Sequence, residues 1–306
     1  MKKLLYLIFL AVKAVVKRLL APLADTVISK VKKYMPRHLG SKLLKLLVYT
    51  AGLLTFGILL FLIGYILIKG LPHIKPKLFE MKYTTENASM LPAIINTVIM
   101  TACSLVAAVP LGIFTAIYLV EYAKRGSRLV KLVRITAETL SGIPSIVYGL
   151  FGMLFFVFYL KWSYSILAGA ATVSIMILPL IIRTTEEALI AVPDSYREAS
   201  FGLGAGNLRT VFKVILPSAM PGILAGVILA VGRITGETAA LLFTTGTVPE
   251  LPKSLMSSGR TLALHMYLLS GEGLYINESY ATAVILLLLV LVINTLSALI
   301  ARRISK

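Results

Sequence analysis

Six apolar runs, each about as long as a bilayer crossing, leave this chain few folds to choose from. They cover residues 46–68, 94–119, 140–160, 164–182, 219–243 and 281–301. A helix of about 20 residues spans a hydrocarbon core of ~30 Å. In lipid the backbone must satisfy its own hydrogen bonds, which only helices and closed barrels do. A barrel would show short alternating strands, and the sequence has none. Of 306 residues 58% are hydrophobic and 14% charged, with a mean hydropathy of +0.89; soluble domains are about a quarter charged. The expected fold is an all-α integral membrane protein with six transmembrane helices. The third run is the weakest. It contains Gly142, Pro144 and Gly149, and its apolar part at 146–160 needs the preceding turn to reach across.

The net charge is +18. In a soluble protein that would point to nucleic acid, but here the charges cluster at the ends of apolar runs, where they orient the chain and meet anionic lipid. Twenty-three lysines and arginines fall on the side holding both termini and the 120–139 and 183–217 loops, against seven on the other. The excess places both termini and the 183–217 loop in the cytoplasm. Arg233 belongs to neither side. Met-Lys-Lys followed by an apolar stretch imitates a signal peptide. However, Lys13, Lys17 and Arg18 interrupt it and no small-x-small cleavage site follows, so residues 1–42 read as a basic amphipathic helix on the cytoplasmic leaflet. The remaining divisions are 43–89, the first crossing and an external loop; 90–301, the main transmembrane domain; and 302–306, a cytoplasmic tail. Residues 244–280 read as an external, partly re-entrant or lid-like loop. The single cysteine, Cys103, lies inside a run and excludes a disulfide framework within the chain; it reads as a packing residue.

The 183–217 loop is too long and too helix-prone for a passive connector. Thr184, Glu186 and Glu187 suit a helix start, and Pro193 interrupts the run. Ser195-Tyr-Arg-Glu198 has the form of a capping box. Gly202, Gly204 and Gly206 end that helix, with Gly204 as the left-handed residue. Asn207 can cap a second helix over 208–215, and Pro217 precedes the next crossing. Two short helices about a glycine hinge form a docking surface for a second protein. Taken alone, Glu198 is as well explained by capping.

Within the fifth run, Arg233 lies fourteen positions beyond Ala219, ~21 Å at ~1.5 Å per residue, past the middle of the core. A charge at that depth costs several kcal/mol unless paired or wet, and marks a functional site by default. A guanidinium suits a tetrahedral oxyanion. Glu237, four residues on, would share its helix face, so a structural ion pair is the competing explanation. Thr235 and Thr238 add small polar groups beside them. Gly222/Gly226 and Gly232/Gly236 are small-x-x-x-small pairs suited to close helix packing.

Glu198-Ala199-Ser200, then Gly204, then Val214-x-Leu216-Pro217 resembles the Glu-Ala-Ala…Gly…Ile-x-Leu-Pro signature of ABC importer permeases; Ser200 and Val214 are its two departures. The resemblance extends from about Ile94 to Ile300 and opens with Ile95-Asn-Thr-Val and Pro110-Leu-Gly-Ile. It implies a type I importer permease core in which the 184–217 loop carries coupling helices that dock into an ATPase subunit, with Glu198, Ala199, Ser200, Gly204, Leu216 and Pro217 as its motif positions. Gly236-Glu-Thr-Ala-Ala-Leu-Leu-Phe-Thr244 and Glu138-Thr-Leu-Ser-Gly-Ile-Pro-Ser145 resemble segments of the PstA-type phosphate permeases. That resemblance implicates Arg233 and Glu237 in phosphate transport and implies three partners: a PstC-type permease, an ATPase dimer and an external phosphate-binding protein. Glu138 fits a helix-start carboxylate as well as a gating role.

The chain has no Gly-x-x-x-x-Gly-Lys-Ser/Thr loop. His38, His73 and His265 lack metal-ligand spacing, and no hydrolytic triad stands out. The expectation is a transport subunit, not an enzyme, that binds no cofactor and no metal; ATP would be used by its partner. A permease for sulfate, molybdate or phosphonate is the first rival, and a secondary transporter or membrane enzyme the second.

Overall fold

The computed structural model describes residues 39–124 and 126–304, and every regular element in it is helical. The basic segment expected over 1–42 lies outside the described residues except at its last positions, where the first helix has already begun. Contacts divide the chain into one unit ending at Gly64 and a second from Tyr65 onward. In the first, the described residues all belong to α1 (Leu39–Gly70), whose 46–64 stretch carries no charge on any face. Such a helix is stable in lipid or in an apolar interior, not in water.

In the second unit α1 ends in two 3-10 turns, Leu71–His73 and Pro76–Phe79. There follow α2 (Leu91–Ile117), extended by a π turn to Tyr122, α3 (Arg128–Ser141) and α4 (Ser145–Gly152), which widens into a π turn over Met153–Tyr159. Then come α5 (Ile166–Ile190), α6 (Asp194–Gly202), α7 (Asn207–Thr210), a π turn over Val211–Ile215, α8 (Leu216–Thr235), α9 (Ala239–Leu242), α10 (Leu262–Glu272) and α11 (Ile276–Ile304). The core sits between α2, α5 and α8, where Met100, Val173, Met176, Ile177, Ala230 and Ile234 are buried together. A second cluster of Ile117, Leu189, Val211, Ile215 and Ile223 closes the loop end. The helices approach closely because Gly222 and Gly226 face α5: a Cβ at Gly222 would lie 2.7 Å from Ala188 Cβ, and one at Gly226 would overlap Thr184. The other pair does not work this way. The nearest atom to a Cβ at Gly232 is Asn294 Nδ2 at 3.8 Å, and at Gly236 it is the helix's own Gly232 carbonyl.

Three expected elements are redrawn. The third run does not cross as a straight 140–160 helix: α3 and α4 meet at 102°, because Gly142-Ile-Pro144 breaks the ladder and only 145–159 continues. The fourth starts at Ile166, where Ser165 Oγ accepts from Ala168 N at 3.2 Å, and runs through Ile190. Thr184, Glu186 and Glu187 therefore start no helix; the Thr184 hydroxyl donates back to Leu180 O at 2.9 Å. The fifth is continuous from Asn207 to Thr235, so 208–215 is no separate helix. It also stops well short of 243, because Gly236–Thr238 leave the helix.

The 244–280 segment does fold back on the bundle. Ile166 N donates to Ser257 O at 3.1 Å and Leu167 N to Leu255 O at 2.9 Å, while Ser165 N bonds Thr244 O at 3.0 Å. The loop thus satisfies the first amides of α5, which no intrahelical carbonyl can reach.

Candidate functional site

At one end of the bundle α6 and α7 form a helical hairpin. Gly204 has φ +83°, the left-handed conformation that glycine adopts without strain. Around it Leu203 N bonds Ala199 O, Gly204 N bonds Phe201 O at 2.9 Å, and Ala205 N bonds Ser200 O, closing the carbonyl end of α6. The Ser195–Glu198 capping box does not form: the helix starts after Pro193, with no side-chain cap. Asn207 likewise opens α7 without capping it. Glu198, Ala199, Gly204 and Pro217 are exposed, Ser200 is buried, and Leu216 packs against the loop-end core. Freed from a capping role, Glu198 presents its carboxylate outward. Leu203 is 90% exposed and Leu208 69%, far more than a solvated hairpin tip requires, and Leu203 lines a groove of about 490 Å³ with Ala199, Gly204, Arg209 and Lys213.

Two polar connections fix this hairpin, and the sequence pointed to neither. The Ser200 and Thr210 hydroxyls are hydrogen-bonded at 2.8 Å in a buried contact between α6 and α7; the serine that departs from the resembled motif ties the two helices together. Arg197 reaches from α6 to the end of α2. Its Nη2 donates to Glu121 Oε1 at 2.6 Å and to Leu189 O at 3.1 Å. Nε donates to Glu121 Oε2 at 3.3 Å, and Nη1 to Val192 O at 3.0 Å and Asp194 Oδ1 at 3.2 Å. Hydrogen bonding to Glu121 raises the Arg197 pKa above the ordinary arginine value, so this joint is permanently charged. The signal for it was a lone acidic residue, Glu121, at the end of an apolar run.

The second locus is deeper. The pairs Gly226–Thr184 and Gly222–Ala188 set the antiparallel register of α8 on α5. Carried on, that register puts Arg233 level with Ile177, eleven positions or ~16 Å below the start of α5. Helical side chains lean toward their own N-terminus, so Arg233 points back toward the loop end. There it lines a cavity of about 580 Å³ with Arg134, Glu138, Ser141, Arg183, Thr184, Glu186 and Glu187. Arg134 Nε donates to Glu186 Oε1 at 2.6 Å and Arg183 Nε to Glu187 Oε1 at 3.0 Å. Arg233 is exposed to the cavity and enters no ion pair among the described residues. Glu138 shares the cavity, also outside those pairs.

Glu237 does not share a face with Arg233, because the helix has ended between them. It is buried, and its Oε1 accepts from Ala240 N at 3.0 Å, capping α9. Thr235 is buried with its hydroxyl donating to Val231 O at 2.8 Å. Thr238 is half-buried, within 3.5 Å of Gly236 O. Of the four residues grouped at the sequence level, Arg233 alone lines the cavity.

A bundle of membrane-crossing helices, with an exposed helical hairpin at one end and a mid-depth cation open toward it, defines a membrane transport component. The chain belongs to the family described as binding-protein-dependent transport system inner membrane component, matched over residues 108–306. It is 34% identical over 238 residues to the probable ABC transporter permease protein YqgI of Bacillus subtilis, covering 71% of this chain and 79% of that protein. It is 38% identical over 210 residues to the phosphate transport system permease protein PstA of Pasteurella multocida, covering 68% and 74%, and 30% identical over 267 residues to PstA of Haemophilus influenzae, covering 86% and 94%. The fold is also that of a chain in the crystal structure of a bacterial alginate ABC transporter in complex with alginate pentasaccharide-bound periplasmic protein, with a TM-score of 0.65 at 15% identity over 88% of this chain and 99% of that one.

Proposed function

We propose that this chain is the PstA-type transmembrane subunit of an ATP-driven inorganic phosphate importer in a bacterial or archaeal plasma membrane. It pairs with a PstC-type permease, a cytoplasmic ATPase dimer and an extracytoplasmic phosphate-binding protein. Both termini and the 184–217 loop lie in the cytoplasm. The single observation that carries the cargo assignment is Arg233: a guanidinium at mid-depth, open to a cavity in which the neighbouring arginines are already neutralised. An oxyanion there meets a fork of donors with no competing carboxylate bonded to it. The names of the relatives above favour phosphate among oxyanions.

ATP binding closes the ATPase dimer, and the α6–α7 hairpin moves with it through the exposed Glu198–Gly204 face, Leu203 and Leu208. The bundle then opens outward and phosphate reaches Arg233; after hydrolysis the cavity reopens to the cytoplasm. Glu138, unpaired in the same cavity, lowers the affinity for an anion at Arg233 enough for release. The test is radiolabelled phosphate uptake into vesicles holding the reconstituted complex. Arg233→Gln should reduce uptake at least ~100-fold, the scale of a lost charge-assisted pair, while the ATPase remains assembled. Normal uptake by that variant, or uptake that excess sulfate abolishes, would sink the assignment; the second result favours the rival oxyanion permease.

A further inference from the structure

Eight buried side-chain nitrogens and oxygens among the described residues lack a hydrogen-bond partner, and six of them fall on four neighbouring residues. They are Asn96 Oδ1, Arg260 Nε and Nη2, Thr261 Oγ1 and both ring nitrogens of His265. The residues adjoin: Asn96 Nδ2 donates to Arg260 O at 3.2 Å, and His265 N to Thr261 O at 2.8 Å. The Arg260 guanidinium lies 4.7 Å from the centre of the Tyr83 ring, whose edge contact with His265 spans 6.2 Å between centroids. All sit where α2 and α10 begin, at the end opposite the 184–217 loop, and outside the candidate spans except for Asn96. Arg260, which the charge count treats as an exposed orienting residue, is only 4% exposed and enters no ion pair among the described residues.

A buried cation facing only a ring face is expensive: the ring recovers about 2 kcal/mol at best, less than the cost of an unpaired buried charge. Native structures leave few buried polar groups unmatched, and a concentration of them calls for a ligand, ion or water. The groups present define that ligand. Arg260 offers two N–H donors in a fork and Thr261 a hydroxyl. Asn96 Oδ1 is an acceptor only. His265 is neutral, so its ring carries one donor and one acceptor; burial, then the neighbouring Arg260 charge, lower its pKa to about 3, against a smaller opposing pull from the Ala88 backbone, which stands too far or too oblique for a full hydrogen bond and would occupy only the donor side of the ring. A fully deprotonated oxyanion such as sulfate would leave the acceptors unmatched. An oxyanion that still carries a proton satisfies both kinds of group, and an unmatched buried acceptor is a strong basis for discrimination.

We propose that Arg260, Thr261, His265 and Asn96 form a second oxyanion site, at the extracytoplasmic end of the path, built for hydrogen phosphate over sulfate. The segment that carries it is tied to the end of the stretch after α9: Gly259 N and Ser258 Oγ both donate to Thr245 O, at 3.3 and 2.7 Å. The site receives phosphate as the outer end opens, before the anion moves inward. Its cargo rests on the phosphate assignment above, and the experiment separates the two.

The complex of both permease chains and the ATPase dimer, without the phosphate-binding protein, carrying Arg233→Gln in this chain and a non-hydrolysable ATP analogue, is titrated with radiolabelled phosphate by equilibrium dialysis. Phosphate binding should persist, and sulfate should compete at least ~10-fold more weakly. Adding Arg260→Lys, which keeps the charge but loses the fork, should weaken the persisting binding ~10-fold or more. Asn96→Asp, which puts a carboxylate where the acceptor lies, is the second variant and should weaken it likewise. Binding that neither variant changes, or that sulfate displaces as well as phosphate does, overturns the second site. Phosphate uptake by the otherwise unaltered complex tells the failures apart: intact uptake confines the failure to this site, and absent uptake removes the cargo assignment and this site together.

Discussion

Arg233, Arg260 and Arg197 are the same side chain used in three environments, and the surroundings of each decide what it can do. Arg197 spends its donors on Glu121, Asp194 and two backbone carbonyls and is structural. Arg233 keeps its donors free in a cavity. Arg260 keeps two donors free while buried. His265 adds a pH dependence at this scale. Its folded pKa is about 3, below the ordinary value of 6.5, because burial and then Arg260 disfavour the imidazolium. The unfolded chain therefore binds the extra proton between those values, so the stabilisation is complete above pH 6.5 and is lost as pH falls toward 3. Thermal unfolding of the purified complex should show a melting temperature that drops with pH across that window, and His265→Gln should flatten the drop. An unchanged slope in that variant would assign the acid sensitivity to other groups. Arg233 stood out in the sequence as a lone cation in an apolar run. Arg260 did not, because a basic residue in a loop between crossings is the ordinary orienting charge.

At the scale of elements, the joint between α6 and α2 is the feature with the clearest consequence. On the proposed function, the hairpin moves with an ATPase and transmits force only through whatever it is fastened to. The Arg197–Glu121 pair is its polar fastening to α2, with side chains 16% and 9% exposed and so little screened by solvent. Glu121→Gln should leave the complex assembled and ATP hydrolysis running while phosphate import per ATP falls several-fold. The exchanged pair Glu121→Arg with Arg197→Glu should restore part of the ratio; import that tracks hydrolysis in all these variants would show the joint to be passive. Several helices were legible from the length of apolar runs, yet their ends were not. The Thr184-Thr-Glu-Glu stretch has helix-start chemistry but lies in the last turns of α5, because burial of Thr185 and Leu189 in the bundle outweighs a weak local capping preference. The capping box at Ser195 fails for a related reason. Pro193 already sets the entry to α6, and Arg197 is drawn to Glu121, which aligns the helix from Asp194.

For the whole molecule, the position of the cavity is what matters. Arg233 opens toward the α6–α7 hairpin, while at the other end Thr244 and Thr245 are fully buried and the 244–261 segment covers the start of α5. This is a conformation closed at one end and open at the other. Ser141→Cys, lining that cavity beside Arg233, should react with a membrane-impermeant maleimide added from the cytoplasmic side without ATP, and not from outside. Labelling from outside alone would reverse the orientation proposed for the chain. The sequence by itself determined that the chain lives in a membrane as helices, that the 194–217 loop turns on a left-handed Gly204, and that Arg233 is exceptional. Each follows from a local cost: apolar length against bilayer thickness, the φ preference of Gly204, and the solvation of a charge. Only the tertiary structure decided that the fifth crossing ends at Thr235, that Glu237 caps α9 instead of pairing with Arg233, and that Glu121 and Arg260 hold special positions. Those outcomes depend on which side chains distant in sequence arrive within hydrogen-bonding distance, and on which are left buried without a partner; neither is a property of any local stretch of chain.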